Sequence, residues 1–372
     1  MASAHPLGDI VRRLTDTLAT ITLSGRSSVA AKFDQGRGLA VLMLLSRSAR
    51  WALDQQHMSE PRKHHYLSQF YLRGFSTDGR KIFQFEKKTG RGYECSIHDA
   101  GAIRDYHELD HGDFEDPHAL EKQLSVAEGR FAAILDEVLV SGVSTRERHA
   151  CLIELLNLFR VRVPAQKAYF ERVLEESVRS VGKMMERHGQ LPAPSKQGAS
   201  IMDQMTISIR NFKCLEMMFR MAADPDILRI LATMKASLLD APEGSRFFTC
   251  DQPVALYHPT ASEKDSYGVA LVDPLIEVSF PLSCQTLLKL TWPPDAPERR
   301  AASAAETDEF NRRTTIMGDT YLFSHAPTEA IRGYIARYGR YRAGVEHDTV
   351  DKGESIFHVS RNRAVMAADR YE

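Results

Sequence analysis

The run Lys63-His64-His65-Tyr66-Leu67-Ser68-Gln69-Phe70-Tyr71-Leu72-Arg73-Gly74-Phe75 sets two histidines, a glutamine and an arginine among large apolar and aromatic residues. A stretch this apolar is driven into the interior. It takes its polar groups with it, and each one left unpaired there costs about 1–3 kcal/mol. A fold of this chain must therefore build a polar network around the run or open a site onto it.

The rest of the chain is long enough to do either. Its 372 residues allow one large or two small domains with a sizeable core. The net charge of −1 gives no whole-chain field that would recruit nucleic acid or an anionic membrane, so such binding would need a local patch. Five cysteines stand far apart with no CxxC pair, which points to reduced thiols and a cytoplasmic protein. The longest apolar run, Leu39–Leu45, is too short to span a bilayer, and no membrane partner is expected.

Taken in order, residues 1–57 read as an N-terminal extension rich in Ala, Ser, Leu and Arg. They are expected to be disordered or to lie upstream of the true start, with Met58 opening a complete domain. Arg12, Arg13, Arg26 and Arg37 would suit a targeting peptide, but Asp9, Asp16 and Asp34 argue against one. Amphipathic helices packed on the body are the third reading of this stretch.

After the run, Ile82–Glu86 alternates as a half-buried strand, and Lys87–Gly90 turns it back into Tyr93–Ser96. Ala102–Tyr106 is expected to add to the sheet edge. Leu120, Leu124, Ala127, Phe131, Ile134 and Val138 form one helical stripe, and Leu152, Leu155, Leu156, Phe159 and Val163 form the next. Ser144–Glu147 resembles a capping box, and Pro164 should end or kink the second helix. Helical pattern resumes to Val181, Gly189–Ser195 reads as a loop, and helices return over Ile201–Met221 and from Asp224 to about Leu239. Strands are expected at Arg246–Cys250, Val254–His258, Val269–Val272, Ile276–Phe280 and Leu287–Thr291. Helices are expected at about Thr307–Ser324 and Thr328–Arg342. The fold class is α+β: a helical core with a small N-terminal hairpin and a C-terminal group of strands. Residues 58–345 form one such domain, and 346–372 a polar tail.

The His-His-Tyr-x-x-Gln-Phe-Tyr-Leu-Arg-x-Phe pattern of residues 64–75 resembles the opening motif of the bacterial family called domain of unknown function 4238. Ser68 stands where that family commonly has proline. Its second motif, an Asp-Asn-Pro after a short apolar strand, is matched by Phe247-Phe248-Thr249-Cys250-Asp251-Gln252-Pro253, with Gln252 for the asparagine. The resemblance runs from about Arg62 to Tyr321–Ser324. It implies an architecture and no settled activity.

Several residues could carry chemistry. His64 and His65 are candidates for a metal ligand or general base; in a helix His65 would share a face with Gln69, and in a strand the two histidines would point to opposite faces. Their alternative role is structural hydrogen bonding. Asp251, delivered to a strand end by an apolar segment, could hold a divalent cation such as magnesium, or could accept backbone amides in a turn. Arg160 and Arg162 flank a core stripe and could clamp a phosphate, or one could pair with Glu128. Arg332–Arg342, with Tyr334, Tyr338 and Tyr341, has the look of a strand-tracking surface but reads better as an amphipathic helix. No Walker loop, GxGxxG, GxSxG or kinase set is present.

Two functional expectations follow. One is a metal-dependent phosphodiesterase or nuclease acting on nucleic acid, with His64, His65 and Asp251 catalytic and Gln69, Arg160 and Arg162 on the substrate. The other is a non-enzymatic interaction protein in which the same groups form a buried His/Arg/Asp network. Convergence on an open cleft would favour the first, and a sealed, mutually satisfied arrangement the second.

Overall fold

The structure is a computed structural model and describes residues 63–109, 118–191, 200–262, 265–292, 297–351 and 356–366. The expected extension 1–57, the start at Met58, most of the 189–195 loop and the last residues of the tail lie outside these.

The opening run splits into two short elements. Strand β1 (Lys63–His65) pairs antiparallel with a later strand, Ala102–Arg104, so that His64 lies opposite Ile103. Alternation buries His64 and leaves His65 half-buried, on opposite faces. Ser68 then precedes helix α1 (Gln69–Arg73), which buries Tyr71 and Leu72. The Tyr71 ring lies 4.8 Å from Phe159 and stacks at 5.3 Å on Phe280, placing the helix at the centre of the main core. Gly74 is required by this packing, because a Cβ there would sit 2.9 Å from the Leu282 carbonyl oxygen.

Strands β2 (Lys81–Glu86) and β3 (Gly92–Ser96) form the expected hairpin, and Ala102–Arg104 is β4. The helical block follows: α2 (Ala119–Ser141), α3 (Arg146–Val161), α4 (Pro164–Arg187), the short α5 (Ile201–Gln204), α6 (Asn211–Ala222) and α7 (Pro225–Thr233). The expected stripe of α2 buries Leu120, Leu124, Phe131 and Val138. α3 is buried nearly all round, which makes it the axis of the block. Pro164 breaks the chain as expected and opens α4 at its first turn, where its missing amide proton costs nothing. Asp224 caps α7 by accepting the amides of Asp226 and Ile227.

Two larger sheets complete the domain. One has the order β10-β5-β9-β8-β7 and contains β5 (Lys235–Asp240), β7 (Ala255–Tyr257), β8 (Glu277–Pro281), β9 (Thr286–Thr291) and β10 (Arg299–Ala301). The other has the order β3-β2-β11-β6, with β6 (Thr249–Cys250) and β11 (Tyr321–Ser324). The N-terminal hairpin and two strands from the far end of the chain thus share one sheet. The architecture is α+β. Helices α8 (Ala304–Met317) and α9 (Glu329–Tyr338) and a ribbon of β12 (Tyr341–Asp351) with β13 (Ile356–Met366) close it. Among the described residues no helix is long and apolar enough to cross a membrane.

Some elements differ from their sequence expectation. Lys235–Asp240, expected as the end of a helix, is a strand buried over Ala236–Leu239. Tyr321–Ser324, also expected as helix, lies between β2 and β6. Both are short apolar runs, which periodicity alone cannot assign. Val269–Val272 is not a strand; an isolated bridge between Tyr257 and Tyr267 stands nearby instead. The cap of α3 is Thr145, which accepts from Arg148; Ser303 and Glu306 form a reciprocal capping box on α8. A polar tail was expected from residue 346; of it, residues 346–351 and 356–366 pair in the β12–β13 ribbon.

Candidate functional site

Two polar groups of the opening run, His64 and Ser68, gather on one side of α2. Glu121 and Glu128 are seven residues, or about two turns, apart on that helix and so share a face. Each meets one half of the run.

At Glu128 the centre is Arg162, which follows the last residue of α3 and has no exposed surface. Its Nη1 donates to Glu128 Oε1 at 2.7 Å, its Nη2 to Ser68 Oγ at 2.6 Å and its Nε to the Tyr66 carbonyl at 3.3 Å. Ser68 in turn donates to the same Glu128 oxygen at 2.7 Å. The guanidinium lies 5.5 Å from the Phe159 ring centroid. A desolvated arginine is tolerable only with such a set of partners, because losing one leaves a buried charge uncompensated.

At Glu121 the partners are histidines. The backbone N–H of His107 donates to His64 Nδ1 at 2.8 Å, and His107 Nδ1 lies 2.7 Å from Glu121 Oε2. The two rings are parallel within 9° with centroids 5.7 Å apart, and His118 approaches His64 edge-on. Both His64 and His107 are fully buried. Burial pushes His107 down to about 4, against the pull of its Glu121 hydrogen bond, so it is neutral near pH 7. Donor atoms of His64, His107 and Glu121 lie within 4.8 Å of one another. Two imidazoles and a carboxylate are a donor set that suits zinc or a similar divalent ion. The hydrogen bonds here occupy part of that set: the amide of His107 uses the lone pair of His64 Nδ1, and the carboxylate of Glu121 holds the Nδ1 proton of His107.

The remaining expected residues stand elsewhere. His65 Nε2 meets the His98 carbonyl at 3.1 Å, and burial lowers its pKa. Gln69 is the first residue of α1 and is half-buried. Arg160 donates from Nε to Asn157 Oδ1 at 2.9 Å, and its Nη2 is buried without a hydrogen-bond partner. Burial pushes Arg160 down to about 10, opposed by Asp224. Asp251 follows β6 and accepts three backbone amides, from Asp319 at 2.7 Å, Thr320 at 2.7 Å and Tyr321 at 3.0 Å. Burial and the neighbouring Asp319 raise it to about 6. Beside it Lys87, buried and pushed down to about 8, donates to the carbonyls of Gly318 and Tyr341.

The run and the Asp251 segment do touch: Tyr71 Oη lies 2.6 Å from Thr249 Oγ1, across 178 residues of sequence. His64 and Arg162 thus share one flank of α2, while Asp251 organises the α8–β11 turn. Among the described residues no hydrogen bond or ion pair links Asp251 to His64, His65, Arg160 or Arg162. His107 and Glu121 were not singled out in the sequence. Their one signal was the spacing of Glu121 and Glu128 along a single helix face.

The chain belongs to the family described as Protein of unknown function (DUF4238), whose model matches residues 63–328. No curated protein and no solved structure matches it.

Proposed function

We propose that this chain is a non-enzymatic interaction protein whose opening run is the buried polar keystone of the fold. The observation that carries this reading is Arg162. Its guanidinium is closed off from solvent and bonded to Glu128, Ser68 and the Tyr66 carbonyl. A phosphate clamp needs donors that face a ligand, and these face the protein. The three amides on Asp251 support the same reading, since they use three of the roughly four lone-pair positions a metal could take.

For the interaction itself, the β12–β13 ribbon is the supporting element. It pairs through eleven residue pairs, and among the described residues neither outer edge pairs with another strand. A two-stranded ribbon is marginal alone, and an open strand edge is a template for strand addition. The test uses the full chain and Asp251→Asn. Cleavage of DNA and RNA with magnesium or manganese, and the melting temperature, are measured on both. The network reading expects no metal-dependent cutting by either protein and a lower melting temperature for the variant. Cutting that EDTA stops, with unchanged melting of the variant, overturns it.

The second reading is a metal-dependent phosphodiesterase or nuclease of the bacterial cytoplasm. The His107–Glu121 pair favours it, because an imidazole oriented by a carboxylate has the form of a general base. There Asp251 would hold the divalent ion, His64 or His65, or His107 oriented by Glu121, would serve as base, and Gln69, Arg160 and Arg162 would meet the substrate. EDTA-sensitive cleavage lost in His64→Gln is its expected signature.

A further inference from the structure

We infer that the Nε2 atoms of His64 and His107 hold between them one small hydroxylic molecule, a buried water that closes the polar cluster. The argument rests on where the protons must be. His64 Nδ1 receives the backbone N–H of His107 at 2.8 Å, so that nitrogen carries a lone pair. The neutral ring then has its proton on Nε2, which is a donor. His107 is the mirror case. Its Nδ1 faces the Glu121 carboxylate at 2.7 Å, so Nδ1 holds the proton and Nε2 is an acceptor.

Both Nε2 atoms are buried and neither has a hydrogen-bond partner in the protein. A donor and an acceptor therefore stand unmatched on two neighbouring parallel rings whose centroids are 5.7 Å apart. A molecule that accepts from one and donates to the other satisfies both, and water is the hydroxylic species small enough for an enclosed polar site. Tyr106 and Phe219 pack against His107 at ring-centroid distances of 4.8 and 6.3 Å, so aromatic rings line that side. The result is a continuous path from Glu121 through His107, the water and His64 back to the His107 amide.

The same proton positions disfavour a cation at three of the four ring nitrogens and leave only the His107 Nε2 lone pair, where an ion would take the water's place. An ion on His64 Nδ1 would displace the His107 amide. An ion on His64 Nε2 would require that nitrogen to lose its proton while Nδ1 has none. An ion between His107 Nδ1 and Glu121 would displace their shared proton. The inference stands apart from both functional readings, since a buried water fits a structural network and a hydrolytic site alike.

The test uses the wild-type full chain, so it does not depend on a variant that folds. Long-range proton–nitrogen spectra of histidine-labelled protein read each tautomer, metal analysis of the purified protein reads any ion, and a high-resolution crystal structure locates the bridging density. The expected result is His64 protonated on Nε2, His107 protonated on Nδ1, and a water within hydrogen-bond distance of both Nε2 atoms. A reversed tautomer at either ring, about one equivalent of tightly held zinc or manganese, or a dry site overturns it.

Discussion

Replacing Arg162 with methionine tests the keystone most directly. Methionine keeps most of the apolar stem and can still pack near Phe159, so the change is chiefly the loss of charge and donors. The guanidinium has no exposed surface, and it leaves behind Glu128, the Ser68 hydroxyl and the Tyr66 carbonyl. Breaking a buried pair from one side costs about 3–5 kcal/mol. Glu128 keeps a quarter of its side chain exposed and can recover some hydration, which places the expected loss near the lower end, about 3 kcal/mol. A chain of 372 residues loses roughly 1–2 °C per kcal/mol, so melting should fall by roughly 3–6 °C. Removing both partners in Arg162→Met/Glu128→Leu leaves no orphan charge. The double variant should therefore lose clearly less than the sum of the singles, by roughly 2 kcal/mol. Thermal and urea melts of the four proteins measure the cycle. A loss below about 1 kcal/mol for Arg162→Met, the range of exposed pairs, or strict additivity would refute the keystone argument.

Asp251→Asn keeps one acceptor but turns an NH2 group toward amide donors, and it should cost about 1–3 kcal/mol in a melt at pH 7. His107 gives a pH signature: its pKa in the fold, about 4, lies below the ordinary 6.5, so the unfolded chain takes up a proton first as pH drops. The stability this group contributes is complete above pH 6.5 and is lost as pH falls toward 4, by about 3 kcal/mol; melts of His107→Phe over that window should lack that part of the slope. Hydrogen exchange should protect only the inward-facing amides of β12 and β13, and a bound partner should slow the outward-facing ones as well. If the outward set is already slow in the purified monomer, the ribbon has no open edge.

How much of this was legible follows from which interactions are local. The α2 and α3 stripes, the Pro164 break and the Asp224 cap depend on neighbours a few residues away, and the sequence displays them. Glu128 lay on the flank of its stripe, so its pairing with Arg162 could be considered from helix geometry alone. The His64–His107 contact could not. It depends on β1 pairing with β4 in a register that sets His64 against Ile103, which brings the His107 amide to the His64 Nδ1. Asp251 had two open roles because both a cation and a turn use the same lone pairs. Only the position of the α8–β11 turn, nearly seventy residues on, supplies the three amides.

Ser68 shows how one position ties these levels together. It precedes α1 with extended backbone, where a residue is needed that leaves the strand direction and starts a helix. Proline would satisfy that backbone demand by its fixed φ. It would offer no hydroxyl. In this chain the hydroxyl accepts from Arg162 and donates to Glu128, so it sits inside the ion pair as a third member. Its side chain makes no capping bond to α1, so it is committed to the tertiary network and not to the helix end. Ser68 is thus the residue that joins the opening run to α2 and α3 at a single point. A chain with proline at this position would have to meet the buried guanidinium by another donor–acceptor group or by water.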